Sequence, residues 1–257
     1  MKPVTVVVLS RFADIFQGFR ESVDRFLPEV PRVLVRDGEE IALPLDSRWT
    51  VVQGPEKFLM AVNGSLGWKT APADSDLLYV GDDARFTQAD TIELLQRDAY
   101  SDSRIGIISP KITGEIGSYT QAKPNSTGIT YSKGRLAFVC VYIKREVIEK
   151  VGYLDPIFSG AYGCDDSDYC HRAKLAGYKL AATSSVVVNH QHAASTFIRT
   201  GVGTDCRTGA EKFVDKWGQK AHLEIEDTTA ESQGVVSIPI SNHVVPVRTR
   251  PLRRFSR

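Results

Sequence analysis

The sequence predicts an α/β fold, a mostly parallel sheet flanked by helices with a small C-terminal extension. Three observations carry this. Short apolar runs alternate with segments of helical periodicity, the order of a sheet covered by helices. The runs Val4–Leu9 and Leu77–Val80 are continuous, not alternating, as in strands buried on both faces. Several runs also stop at polar or acidic residues, and in such sheets ligands bind beyond the carboxyl ends of the strands.

Val4–Leu9 is the first strand, followed by Ser10 and Arg11. Phe12, Ile15, Phe16, Phe19, Val23 and Phe26 recur at helical spacing, and Pro28 and Pro31 end that helix. Arg32–Val35 is a second strand, Arg36-Asp37-Gly38 a turn, and Trp49–Val52 a third strand. Phe58, Leu59, Val62 and Leu66 suggest a helix with Asn63 on its polar side. Leu77–Val80 is the fourth strand and breaks into Gly81-Asp82-Asp83. Thr87 then precedes a helix with Ile92, Leu94 and Leu95, and Asp90 is placed for a capping box.

The second half starts with a strand at Ile105–Ser109. Residues 113–134, rich in Gly, Ser, Thr and Lys, read as a long loop or hairpin, and long loops are often functional. Leu136–Ile143 is a strand and Lys144–Val151 a short helix. A helix at Asp166–Ala176 is ended by Gly177. Leu180–Val188 is a strand leading into Asn189-His190-Gln191-His192. Phe197–Arg207 carries Arg199 and Arg207 among glycines, as a phosphate-closing loop or a solvated linker would. Lys212–Gly218 is a short helix with a packed Trp217. From Thr228 the chain turns polar, passes through VVSIPI, and ends in a basic tail with Arg248, Arg250, Arg253, Arg254 and Arg257, usually a solvated end. These shifts divide the chain into a domain at 1–222 and an extension at 223–257.

Composition narrows the function classes. The 257 residues carry 32 Lys and Arg against 31 Asp and Glu, so charge alone argues for neither a nucleic-acid nor a membrane partner. No apolar run approaches the ~18 residues of a membrane span, and the N-terminus reads as a strand, not a signal peptide. The four cysteines form no CxxC pair, which fits a reducing, cytoplasmic compartment.

Ser10-Arg11, Asp37 and Asp82-Asp83 each follow a predicted strand, so they gather at one sheet edge although far apart in sequence. Adjacent carboxylates at the end of a buried strand repel each other, and desolvation adds to the cost. A divalent cation with phosphate oxygens resolves this, whereas the bland reading is a turn after a strand. Asp165, Asp166 and Asp168 suit the positive end of a helix, yet three acids in four residues exceed what capping requires. A histidine just past a strand end, His190 or His192, is a candidate metal ligand or a hydrogen-bonded side chain.

Taken together, these residues resemble the GT-A-fold (Rossmann-like) glycosyltransferases of the large inverting family 2. The match is strongest in the second half, at Gly152–Asp155, Asp165-Asp166-Ser167-Asp168, Arg172, Ala176-Gly177-Tyr178 and His190, and looser in the first half. It covers Val4 to Gly218. The chain departs from the family pattern where Gly81 takes the place of the first metal-motif acid, where Arg36-Asp37 replaces an acidic pair, and where Asp165 replaces a Glu.

The resemblance implies transfer of a hexosyl group from a nucleotide-sugar donor, a UDP-sugar first, to an acceptor hydroxyl with inversion. The acceptor is left open among glycans, proteins and small molecules. Asp166 would be the general base, and Asp83 with His190 would hold Mn²⁺ or Mg²⁺. Ser10, Arg11, Asp37, Asn63, Asp82 and Asp165 would bind the donor. Rival readings are a catalytically silent nucleotide-sugar-binding module and a nucleotidyltransferase; SRFADIFQGF lacks the latter's Gly-rich, basic loop. Nucleic acid is disfavoured as a partner because the body of the chain is not basic. A second copy of the chain stays open.

Overall fold

A computed structural model describes residues 2–37, 41, 45–54, 60–114, 118–124, 128–158, 163–191 and 206–226. The elements run β1 (Val4–Ser10), α1 (Ala13–Phe26), β2 (Arg32–Arg36), β3 (Trp49–Gln53), α2 (Met60–Thr70), β4 (Asp76–Gly81), β5 (Ala84–Phe86) and α3 (Thr91–Tyr100). They continue with β6 (Ile105–Gly114), α4 (Tyr119–Ala122), β7 (Ile129–Ser132), β8 (Cys140–Ile143) and α5 (Arg145–Val151). A 3-10 turn (Pro156–Phe158), α6 (Asp165–Leu175), β9 (Lys179–His190), α7 (Cys206–Trp217) and α8 (Gln219–Glu226) complete the described chain.

One sheet runs β3-β2-β1-β4-β8-β6-β9-β5, and β7 also pairs with β9. The first four strands are parallel, as expected. Beyond β4 the sheet is mixed, because β8 inserts antiparallel to both β4 and β6 while β6 and β9 are parallel. The continuous apolar strand β1 is explained by its two faces. Val6 and Val8 pack with Phe16 and Phe19 of α1 in one core. Val7 and Leu9 pack with Ala61 and Trp68 of α2 in the other. Each fully buried aliphatic or aromatic side chain contributes about 1.5–3 kcal/mol.

Helix α2 uses a different face from the one its large apolar residues suggest. Ala61, Gly64, Ser65, Gly67 and Trp68 are buried, whereas Val62 and Leu66 are only partly so. Small residues let this helix lie close on the sheet: a Cβ at Gly67 would stand 2.6 Å from Val7 Cγ1. Asn63 therefore faces inward and is fully buried, correcting its expected place on a polar side. Asp90 precedes α3 but makes no side-chain capping bond; it accepts from Gln88 Nε2 at 2.8 Å instead.

The stretch expected as a loop or hairpin contains α4, closed by a Ser118–Gln121 capping box, and β7. The helix expected at Lys212–Gly218 is longer and is followed directly by α8, which runs through residue 222. Asp168, fully buried, fastens this C-terminal part. It accepts from Lys216 Nζ (2.7 Å), Trp217 Nε1 (2.8 Å) and Arg172 Nε (2.7 Å). Of the three clustered aspartates, this one joins helices. His192, Arg199 and the basic tail lie outside the described residues.

Candidate active site

The parallel registers bring the predicted strand ends together. Ser10 stands opposite Arg36 on β2, and Leu9 opposite Gly81 on β4. With strands about 4.8 Å apart, the residues that follow meet side by side. Ser10 Oγ donates to Asp82 Oδ2 at 2.5 Å. Arg11 Nη1 and Asn63 Nδ2 donate to the two oxygens of Asp37, at 3.2 and 3.0 Å. Burial pushes Asp37 up from its ordinary value against the pull of Arg11 and Asn63. Asn63 Oδ1 is buried with no hydrogen-bond partner among the described residues, and it lines the space that a Cβ on Gly54 would enter, 2.7 Å away. This free acceptor is unusual for a buried amide.

Asp82 and Asp83 turn away from β4 into the three-residue strand β5. Arg85 Nη1 holds that turn by donating to the carbonyls of Asp82 (2.7 Å) and Ala84 (2.9 Å). Burial first, and then the neighbouring Asp83, pushes Asp82 up to about 7. Strand β5 pairs antiparallel with the end of β9, setting Ala84 opposite His190. Gln191 N donates to the carbonyl of Asp83 at 2.9 Å. Asp83 Oδ2 then lies 3.3 Å from His190 Nε2, and both residues are mostly buried. His190 is thus the last residue of the strand, two beyond its expected end.

These donors fit a hard or borderline divalent ion. Neighbouring ligands of an octahedral ion with bonds of about 2.1 Å are about 3 Å apart, close to the Asp83–His190 separation. Carboxylate suits Mg²⁺ and Mn²⁺, and imidazole is a common metal ligand. A Cβ on Gly81 would meet Asp83 Oδ1 at 2.9 Å.

At the start of α6, Asp166 Oδ2 accepts from Arg135 Nη1 at 2.8 Å, and its Oδ1 accepts from the Ser167 amide at 2.7 Å. Arg135 Nε also donates to Glu226 Oε2 of α8 at 2.9 Å. Burial and then Asp166 push Asp165 up to about 7. Burial first, and then Asp165 and Asp166, raise the buried Tyr79 of β4. Arg135, Glu226 and Arg85 were not foreseen from sequence. Arg135 lies in a connection with no periodic pattern, and Glu226 fell in the presumed extension.

A cleft of about 960 Å³ opens beside Gly54, between α2 and Tyr153–Pro156. Its walls include neither Asp83 nor Asp166.

No protein-family model matches the chain, and no curated protein matches it in sequence. Solved structures do match. GalNAc-T7, crystallised with UDP, GalNAc and Mn²⁺, aligns over 74% of this chain with a TM-score of 0.62 and 16% identity. S. aureus TarS 1-349 aligns over 91% of this chain with a TM-score of 0.54 and 12% identity. The fold is GT-A-like. The chain covers 44% of the GalNAc-T7 chain and 75% of the TarS chain. The Ser10–Asp82, Arg11–Asp37–Asn63 and Asp83–His190 groups all stand at the carboxyl ends of β1, β2, β4 and β9, the edge where such sheets bind ligands. No helix among the described residues is long and apolar enough to cross a membrane.

Proposed function

We propose that the protein is a metal-dependent, inverting glycosyltransferase of the family 2 kind. It moves a hexosyl group from a nucleotide-diphosphate sugar, a UDP-sugar first, to an acceptor hydroxyl. The observation that carries this is the Asp83–His190 pair beside the buried Ser10–Asp82 and Arg11–Asp37–Asn63 contacts, on a GT-A-like sheet. The UDP and Mn²⁺ found with GalNAc-T7 support the donor and ion assigned.

In this reading Asp37, held by Arg11 and Asn63, receives the base, and the free Asn63 Oδ1 accepts a donor N–H or O–H. Asp82, oriented by Ser10, faces the ribose, and Asp165 binds the donor sugar. Asp83 and His190 would hold Mn²⁺ or Mg²⁺, which when bound would supply positive charge against the leaving diphosphate. Asp166 takes the acceptor proton as the acceptor oxygen bonds to the anomeric carbon. The bond to the diphosphate breaks in the same displacement, and its electron pair leaves with the diphosphate. A positioned base of this kind contributes ~10²–10⁴-fold in rate. Arg135 orients the Asp166 carboxylate from the side.

The test is release of UDP from UDP-hexoses by the full chain with Mn²⁺, with the product's anomeric configuration read by NMR. Inversion is expected. Retention, or undiminished release by Asp166→Asn, overturns the mechanism.

A further inference from the structure

The last described helix builds a second set of metal-ligating side chains. Cys164, His222 and Glu226 each offer one ligand atom, and these atoms lie within 4.8 Å of one another; among the described residues no other such group occurs. Cys164 immediately precedes α6, and His222 and Glu226 are four residues apart on α8, hence on one face.

Two further observations set this group apart from ordinary polar packing. Nδ1 of His222 is buried and has no hydrogen-bond partner among the described residues, while its ring packs against Phe213 at 5.6 Å. A buried nitrogen without a partner is costly unless something else pairs it. Cys164 is the one non-glycine among the described residues held at positive φ, +68°. Such backbone is disfavoured for side-chain-bearing residues and clusters at functional sites. Glu226 donates no proton when ionised; its oxygens accept from Arg135 and Ser167 and keep further lone pairs.

The donor types decide the ion. Thiolate, imidazole and carboxylate together are zinc ligands, whereas Mg²⁺ and Ca²⁺ take oxygen. The set differs from the Asp83–His190 pair in containing sulfur. We propose that Cys164, His222 and Glu226 bind a zinc-class divalent ion that clasps α8 to the start of α6. Three protein ligands leave a fourth, open position. The clasp adjoins the candidate base, since Glu226 also holds Arg135, which holds Asp166.

The test uses the full chain, stripped with chelator and titrated with Co²⁺ as a spectroscopic stand-in. One equivalent should produce a thiolate-to-cobalt charge-transfer band in the near ultraviolet. The band should vanish in Cys164→Ser and persist in Asp83→Ala, which separates this site from the donor-metal site. Zn²⁺ should raise the melting temperature of the stripped chain, and His222→Ala should weaken Zn²⁺ binding at least tenfold. Absence of the band in the unaltered chain, or its survival in Cys164→Ser, overturns the proposal. If Cys164→Ser does not fold, Zn²⁺ binding by His222→Ala decides: unchanged affinity overturns the site, and tenfold loss supports it.

Discussion

Asp83 and His190 face each other across the short β5–β9 ladder, with Oδ2 3.3 Å from Nε2. The pairing fixes more than one contact. Gly114, on β6 beside β9, has φ +91°, and a Cβ there would stand 2.3 Å from the His190 carbonyl oxygen. The histidine end of β9 is therefore held by close backbone approach on one side and by the β5 turn on the other. This rigidity suits a ligand pair that must keep its separation.

Gly81→Ala should leave the fold nearly intact while weakening Mn²⁺ binding. The added Cβ meets the tip of the Asp83 carboxylate at 2.9 Å, not backbone, so the carboxylate moves and the strand does not. Gly81→Asp, which places a second, larger carboxylate in the same space, should weaken it further. Calorimetric Mn²⁺ titration alongside thermal melting separates the two effects; tighter ion binding by either variant contradicts this placement of Asp83.

Asp166→Asn should cut transfer ~10²–10⁴-fold with donor binding unchanged. Arg135→Ala should lower kcat by about tenfold through loss of the 2.8 Å contact that orients Asp166. Its donor KM should stay within about twofold, because Arg135 touches none of the proposed donor residues. Steady-state kinetics with a UDP-hexose donor checks both, and a pure KM effect in either variant would reassign the residue.

Asp168→Ala should act on stability. It removes the shared acceptor of Lys216, Trp217 and Arg172. Breaking a buried charge pair by removing one partner costs about 3–5 kcal/mol; partial exposure of Lys216 places the loss at the lower end, about 3 kcal/mol. Denaturant unfolding measures it. A catalytic defect without a stability loss would show that Asp168 belongs with Asp166.

The metal-free protein should lose stability as pH rises between about 4 and about 7. Asp82 and Asp165 are both pushed up to about 7, by burial first and a neighbouring carboxylate second. Unfolded aspartate titrates near 3.9, so across this window the folded state binds more protons than the unfolded one and stability declines with pH. Melting curves from pH 5 to 8 should fall less steeply in Asp82→Asn and in Asp165→Asn. An equal slope in both variants contradicts the assignment.

Much of this arrangement was legible in the sequence because strand ends in a parallel sheet share an edge. That rule alone brings Ser10, Asp37 and Asp82 to one edge, where Ser10 meets Asp82. The Asp83–His190 pairing came from the family resemblance and not from that rule, since β5 has three residues and no pattern to announce it. Asn63 read as polar surface because its helix packs through Ala61, Gly64, Gly67 and Trp68, leaving Val62 and Leu66 to mark the wrong face. Asp166 and Asp168 are alike in composition, and the arrival of Lys216 and Trp217 from α7 marks Asp168 as the acid that joins helices, while Asp166 is held by Arg135 and the Ser167 amide.

The central claim is metal-dependent nucleotide binding at Asp83, and the most direct measurement is UDP binding to the full chain with and without Mn²⁺. A ligand at a hundred times its dissociation constant stabilises the folded state by about 2.7 kcal/mol, which thermal melting resolves. The account predicts a UDP-induced rise in melting temperature that requires Mn²⁺ and disappears in Asp83→Ala. A rise of the same size without the ion, or one retained in Asp83→Ala, would contradict it.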